Sequence, residues 1–348
     1  TSLMEQSGAS TTVVGGSAGG GTINIQDDAT FDTGTGTITI NAPGDVNLSG
    51  GTLQADGMLD FHGGRLDMSG GTVRVTNGLA RLGANLDFGG PSDAERAIIL
   101  VENGNDAEVQ TAFRIGSAAG TFGRAEVSDA GSTLIGTGAG GGADIVVGDE
   151  GDGELEITDG GFVSFQDDLI VASQVGSIGD ARVDDVSVGG DRSMVDLTAG
   201  GNGASVSVGQ AGVGEWRVLN GALVQAGGDV FLASQPSGDA DVRVFGRSRG
   251  FDATLQAGDD LWIGGGSNGP GGTAVLSVNQ FGRVIVPDVL RIYAGGTLNI
   301  ANFASVSAAT VELGTLEVQG GTLNVSTGST QGELKFTGST TLDANLIA

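Results

Sequence analysis

The sequence contains no cysteine, one histidine, one lysine and five prolines among its 348 residues. Without cysteine it can form no disulfide framework and no thiolate metal or redox site. It has no run of about 18 apolar residues, so no segment is suited to span a bilayer. Aromatic residues make up only 5% of the chain, so a core must be built mainly from aliphatic side chains.

Positive charge is also scarce. Lys and Arg number 15 against 42 Asp and Glu, which gives a formal net charge of −27. This charge repels phosphate groups and anionic lipid surfaces, so it argues against a nucleic-acid partner and against binding to an anionic membrane surface. Membrane insertion is disfavoured by the missing apolar run. Glycine is abundant instead, at 67 residues. Because glycine costs about 1 kcal/mol at each helical position, the composition disfavours a helix bundle.

Short apolar segments separated by glycine recur along the chain. Residues 151–168 align with residues 212–229, which pairs Leu155 with Trp216 and Ile157 with Val218, and a third copy follows at 271–288. Each segment alternates apolar and polar residues over only a few positions, which is typical of short strands. Such strands bury a face only by stacking on equivalent strands of the next repeat.

The repeats therefore predict an all-β fold, a single-stranded parallel β-solenoid (β-helix). Coils of about 24 residues give about 13 to 15 coils, and the rod is on the order of 65 Å long. The residues outside the main repeat divide the chain further. The predicted segments are a polar N-terminal segment at 1–19, short-repeat coils at 20–90, an insertion or corner loop at 91–111, long-repeat coils at 112–294 and short-repeat coils with an open end at 295–348.

Most long coils close on an Asp, three mostly apolar residues and a Gly or Ala. The first and third apolar residues should face inward and the middle one outward. The outward residues Ile170, Phe231 and Trp262 are the predicted interface or ligand surface, because exposed aromatics stack on sugar rings or pack against a neighbouring subunit. The predicted inner columns are Ile145, Leu169, Val206, Val230 and Leu261, and Val147, Val171, Val208, Leu232 and Ile263.

Aspartate recurs at one turn position of the long repeats. The residues at this position are Asp144, Asp168, Asp229 and Asp260, and Asp288 is a candidate fifth member. A row of carboxylates suits Ca²⁺, the one cofactor that this sequence suggests. The alternative is an Asx turn, in which each carboxylate accepts its own backbone N–H groups. We favour the turn, because the sequence has one loose approach to a calcium-binding GGxGxDxUx repeat, Gly140–Asp144, and no tandem run of it. The acidic stretch 149–154 is a second such candidate with a solvated turn as its alternative.

No catalytic residue can be assigned from the sequence. It has no P-loop, no HExxH motif and no nucleophile elbow. Adjacent carboxylates on a strand point to opposite faces, so neither member of such a pair assists the other. The pairs of this kind are Asp27/Asp28, Asp167/Asp168, Asp184/Asp185 and Asp259/Asp260. His62, the only histidine, lies in a glycine-rich turn and is expected at the surface.

The stretch VGDEGDGELEITDGGFV, from Val147 to Val163, resembles the glycine-rich repeat of bacterial autotransporter passenger domains. The resemblance implies a right-handed β-helix, made by bacteria and displayed outside the cell. The sequence has no secretion signal at Thr1 and no membrane anchor after Asn345, so we expect a mature or excised segment or a different export route.

These observations favour a non-enzymatic, extracellular structural protein. It would form a shaft or adhesin stalk, or a filament subunit that associates head to tail through open solenoid ends. One alternative is a carbohydrate-binding or polysaccharide-cleaving β-helix. Another is a calcium-stabilised component of a surface layer or matrix. The expected partners are accordingly further copies of the chain, other surface proteins or polysaccharide.

Overall fold

The computed structural model describes residues 3–5, 11–15, 19–83, 86–138, 143–200, 203–313, 322–325 and 333–336. Strands account for 56% of the structure, the described chain contains no α-helix, and its long sheets are parallel. Most coils contribute three short strands that form three faces around one core. The predicted parallel β-solenoid is therefore confirmed.

The first face is a 13-stranded parallel sheet with one strand from each coil, so the described chain contains 13 coils. Its strands are β1 (Leu3–Glu5), β4 (Thr30–Asp32), β7 (Thr52–Ala55), β10 (Gly71–Val75), β13 (Ala97–Val101), β16 (Phe122–Ser128), β19 (Asp152–Thr158), β22 (Ile178–Val183), β25 (Val213–Leu219), β28 (Asp239–Phe245), β35 (Thr273–Asn279), β37 (Gly296–Ile300) and β39 (Thr322–Val325).

The second and third faces form one 23-stranded sheet, because β36 and β38 run through both. The second face contains β2 (Thr11–Val14), β5 (Thr37–Ile40), β8 (Met58–Asp60), β11 (Leu79–Arg81), β14 (Asp106–Val109), β17 (Thr133–Gly136), β20 (Phe162–Ser164), β23 (Met194–Asp196), β26 (Leu223–Gln225), β31 (Thr254–Gln256), β36 (Arg283–Ile292), β38 (Ser305–Leu313) and β40 (Glu333–Phe336). The third face contains β3 (Thr22–Gln26), β6 (Asp45–Ser49), β9 (Arg65–Met68), β12 (Leu86–Phe88), β15 (Phe113–Ile115), β18 (Ile145–Val147), β21 (Leu169–Val171), β24 (Val206–Val208), β27 (Val230–Leu232), β32 (Leu261–Ile263) and the second halves of β36 and β38.

The strands stack in register while the connecting loops vary in length. One coil advances from Thr52 to Thr72 and another from Asp180 to Glu215. The two repeats that align in the sequence lie two coils apart, since Leu155 pairs with Ala181 and Ala181 with Trp216. Trp216 is fully buried, as its alignment with Leu155 predicts.

The core is a set of continuous aliphatic columns. On the third face both predicted inner columns are in register, and every member is at most 1% exposed. Stacked strands keep their pleat in phase, so one residue per coil at each position fills the core. This is why the coils need few aromatics.

Residues 91–111 are not an insertion, which corrects the prediction for this segment. β13 pairs with β10 and β16, and β14 pairs with β11 and β17, so both belong to regular coils. The irregular part is the charged corner, where Asp93–Glu95 form a 3₁₀ turn. The regular pattern resumes at Ala97, where the strand β13 begins. Its inward residues are buried, namely Ala97, Ile99 and Val101.

Two small antiparallel hairpins project from one coil and are absent from the repeat pattern. β29 (Arg247–Ser248) pairs with β30 (Phe251–Asp252), and β33 (Gly265–Gly266) pairs with β34 (Gly269–Pro270). Arg249 and Gly250, between β29 and β30, both have positive φ, which is the geometry of a tight two-residue hairpin turn.

Candidate functional site

The aspartate column lies where the chain turns into the third face, and its carboxylates accept hydrogen bonds from the next coil. Asp144 Oδ1 accepts the N–H of Asp168 at 3.3 Å, and Asp168 Oδ1 accepts that of Ser205 at 2.7 Å. Asp229 Oδ1 accepts the N–H of Asp260 at 3.0 Å. Asp260 Oδ1 accepts that of Val289 at 2.9 Å. The carboxylates thus accept backbone N–H groups as the turn interpretation expects, but the donors belong to the neighbouring coil.

This stacking brings like charges together. Burial raises the pKa of the Asp144 carboxyl, and the nearby charge of Asp167 raises it further. Burial is also the main cause of the raised pKa of Asp168 and Asp260, opposed in each by the backbone hydrogen bond that the carboxylate accepts. The column therefore links coils through hydrogen bonds at an electrostatic cost.

Three carboxylates converge at one end of the column. Oxygen atoms of Asp259, Asp260 and Asp288 lie within 4.8 Å of one another. Among the described residues, Asp144, Asp168 and Asp229 form no such group of three. Asp259 and Asp288 are exposed, and exposed acidic groups of this kind are common without a metal.

The outward column of the third face contains the three predicted surface residues. Its residues pair in register from one coil to the next, in the order Ile170, Ser207, Phe231, Trp262 and Arg291. Ile170 and Phe231 are partly exposed.

The expectation that Trp262 is exposed is wrong, because its side chain is 7% exposed. The Tyr293 ring stacks on it with centroids 6.3 Å apart, and the Arg291 guanidinium lies 4.7 Å from its ring centroid. Tyr293 is itself held in place, because its hydroxyl donates to Gly266 O at 3.0 Å.

A groove of about 490 Å³ lies on the third face beside the β33–β34 hairpin. Ile170, Ser207 and Phe231 line it together with Asp168 of the aspartate column. The hairpin and the loop from Ser234 to Pro236 also line it. The repeat pattern predicts the outward column but not the groove, because the hairpin interrupts the repeat. Its sequence signal is the Gly-rich stretch Gly264–Gly272 with Ser267 and Asn268 at its centre.

The other acidic candidates are engaged in local contacts. Asp149 Oδ1 accepts a hydrogen bond from Ser173 Oγ at 2.6 Å, and Glu154 pairs with Arg96 at 2.7 Å. Asp184 contacts Arg182, whereas its neighbour Asp185 accepts a hydrogen bond from Ser248 at 3.0 Å.

His62 is exposed, as expected. The glycines at 140–142 and the C-terminal residues 340–348 lie outside the described residues. Over the described part of the chain, no helix is long and apolar enough to cross a membrane.

Comparison with protein-family models, with curated proteins and with solved structures finds no match for this chain. The fold itself defines the class: a repeat protein of the parallel β-solenoid type.

Proposed function

We propose that this chain is the shaft of an extracellular bacterial structural protein, and that its function is to hold an extended shape. The observation that carries the proposal is the unbroken parallel ladder of the first face, in which every strand from β1 to β39 pairs with the next. A solenoid of this kind is quasi-one-dimensional, so its length is set by the number of coils.

The outer surface of the first face supports a rod. Arg124 pairs with Glu156 of the next coil at 2.5 Å, and Arg182 reaches back to the same carboxylate at 3.1 Å. Arg217 likewise contacts Asp180 of the preceding coil. Exposed ion pairs contribute only about 0–1 kcal/mol each, so the aliphatic columns supply most of the stability. The remaining negative charge keeps separate rods apart in solution.

The extracellular setting is part of this proposal and is supported by the resemblance of residues 147–163 to passenger-domain repeats. The head-to-tail filament is a variant of the same proposal, in which coils of one molecule continue those of another. The calcium-stabilised surface layer is a second variant, in which metal ions bridge carboxylates of adjacent rods.

Negative-stain electron microscopy of the purified chain, over a concentration series with and without millimolar Ca²⁺, tests these variants. A shaft gives separate rods of about 60 Å at every concentration, from 13 coils about 4.8 Å apart. Long fibres at high concentration support the filament variant, and lateral sheets that form only with Ca²⁺ support the surface layer. Compact, isotropic particles would contradict all three.

A further inference from the structure

We infer that the groove beside the β33–β34 hairpin binds a neutral oligosaccharide. This site is additional to the shaft and does not depend on it. The groove combines an open concave shape, an aromatic ring and several convergent polar side chains, which is the usual composition of a small-ligand site. It is a feature of a few coils only, because the hairpin that forms one wall occurs in a single coil.

The aromatic surface is provided by Phe231. Its ring lies near Gly266 of the hairpin, since a Cβ added to that glycine would lie 3.7 Å from Phe231 Cδ1. Ile170 lies two coils below in the same outward column. The partly exposed ring offers a flat apolar surface, which suits the C–H face of a sugar ring, and Ile170 adds an apolar contact further along the groove.

The polar groups around this surface are free to bind. The side chains of Gln210, Gln235 and Asn268 line the groove and make no hydrogen bond to any other described residue. A carboxamide offers both a donor and an acceptor, so it can pair with two adjacent hydroxyls of one sugar.

Ser207 is a second, independent indication of a ligand. It is 7% exposed and lies between Ile170 and Phe231, and its Oγ has no hydrogen-bond partner among the described residues. Buried polar groups are nearly always paired, because an unpaired one costs about 1–3 kcal/mol. The Oγ has less than 1 Å² of accessible surface, so the Ser207 side chain must turn toward the groove before a hydroxyl-bearing ligand supplies the missing partner.

The charges select a neutral ligand. Among the described residues that line the groove there is no Lys or Arg, and the one carboxylate, Asp168, already accepts the Ser205 N–H. Together with the net charge of −27, this disfavours acidic glycans. Glycoside hydrolysis generally requires two carboxyl groups across the scissile bond. With only Asp168 present, the groove is suited to binding and not to cleavage.

Affinity electrophoresis tests this inference. The purified chain is run in native gels that contain dextran, galactomannan, mixed-linkage β-glucan or arabinoxylan, with alginate and polygalacturonate gels as acidic comparisons. We expect at least one neutral polysaccharide to retard the chain. Phe231→Ala should weaken this binding by about tenfold, and Asn268→Ala should weaken it as well.

Phe303→Ala is the matched control, because Phe303 is also an exposed phenylalanine but stacks on Phe281, outside the groove. It should bind like the unmodified chain, and circular dichroism should show that all variants are folded. Absence of retardation by every neutral polysaccharide overturns the inference. So does equal loss in the Phe231 and Phe303 variants, or preferential binding to the acidic gels. None of these results affects the shaft proposal, which microscopy tests separately.

Discussion

The carboxylate of Asp168 accepts the backbone N–H of Ser205 across 2.7 Å, so a side chain of one coil is bonded to the main chain of the next. Strand ladders join the coils along their faces. At one corner the aspartate column adds side-chain hydrogen bonds between the coils. The hydrogen-bond acceptors are carboxylates that lie close together, so replacing one of them should change both the stability of the protein and its dependence on pH.

Replacement of Asp168 by asparagine keeps the acceptor and removes the charge. Burial raises the folded-state pKa of Asp168 above its ordinary value of 3.8. The stability that this group contributes is therefore fully present below pH 3.8 and is lost as the pH rises through the folded-state pKa. We therefore expect the melting temperature of Asp168→Asn, relative to that of the unmodified chain, to increase as the pH is raised from 3.5 to 7. A constant difference across that range would show that the column carries no electrostatic cost.

Replacement of the same residue by alanine removes the acceptor too. The N–H of Ser205 then loses its partner, and we expect a loss of about 1–3 kcal/mol in the free energy of unfolding. Denaturant titration of the alanine and asparagine variants at pH 7 measures the difference. Equal stability of the two variants would mean that the hydrogen bond between the coils contributes nothing.

Some coils close on alanine, as at Ala172 and Ala233, but at Gly148 glycine is required for steric reasons. Gly148 has φ +73°, and a Cβ added there would lie 2.2 Å from Ile178 O of the following coil. Gly131 has a similar φ of +87°, but its nearest atom, Gly104 Cα, is 3.5 Å away. Gly131→Ala should therefore cost only the backbone strain of about 1–2 kcal/mol, and Gly148→Ala clearly more. Thermal unfolding of both variants compares them, and equal losses would contradict the close approach of the coils.

Trp216 tests the core. It is fully buried on β25 and lies between Ala181 and Val242 of the adjacent coils. We expect Trp216→Ala to lower the free energy of unfolding by about 3–5 kcal/mol, because the small neighbours cannot fill the cavity. Val213→Ala is the control on the same strand, since Val213 is 53% exposed, and it should change stability by less than about 0.5 kcal/mol. Similar effects in both variants would place Trp216 outside the core.

Calcium dependence distinguishes the two interpretations of the aspartates. If their main role is to accept backbone N–H groups, chelation with EDTA should leave the melting temperature unchanged. A rise of several degrees with millimolar Ca²⁺, abolished by Asp288→Asn, would instead assign a metal site to Asp259, Asp260 and Asp288. Differential scanning fluorimetry with Mg²⁺ as the comparison ion makes the measurement.

The sequence predicts most of this fold because each structural position is filled by a similar type of residue in successive coils. Alternation identifies the inner columns at Ile145 and Val147, and the alignment at 61 residues places Trp216 in the core. It does not reveal that the Asp168 carboxylate bonds to the next coil, since that partner depends on the stacking of coils. The covered position of Trp262 depends on Arg291, Tyr293 and a hairpin outside the repeat, so periodicity alone predicts exposure there.

A rod built from stacked coils has a length that follows their number. Deletion of residues 152–212 removes two complete coils and joins Gly151 to Val213, which occupies the same register position as Asp152. Trp216 then stacks on Ala125 in place of Ala181, so the packing partner is unchanged in type.

Small-angle X-ray scattering of the deletion variant and the unmodified chain measures the maximum dimension of each. We predict that the variant remains folded and is shorter by about 10 Å, the height of two coils, with an unchanged cross-section. A variant that unfolds, or one with the same maximum dimension, would contradict the account.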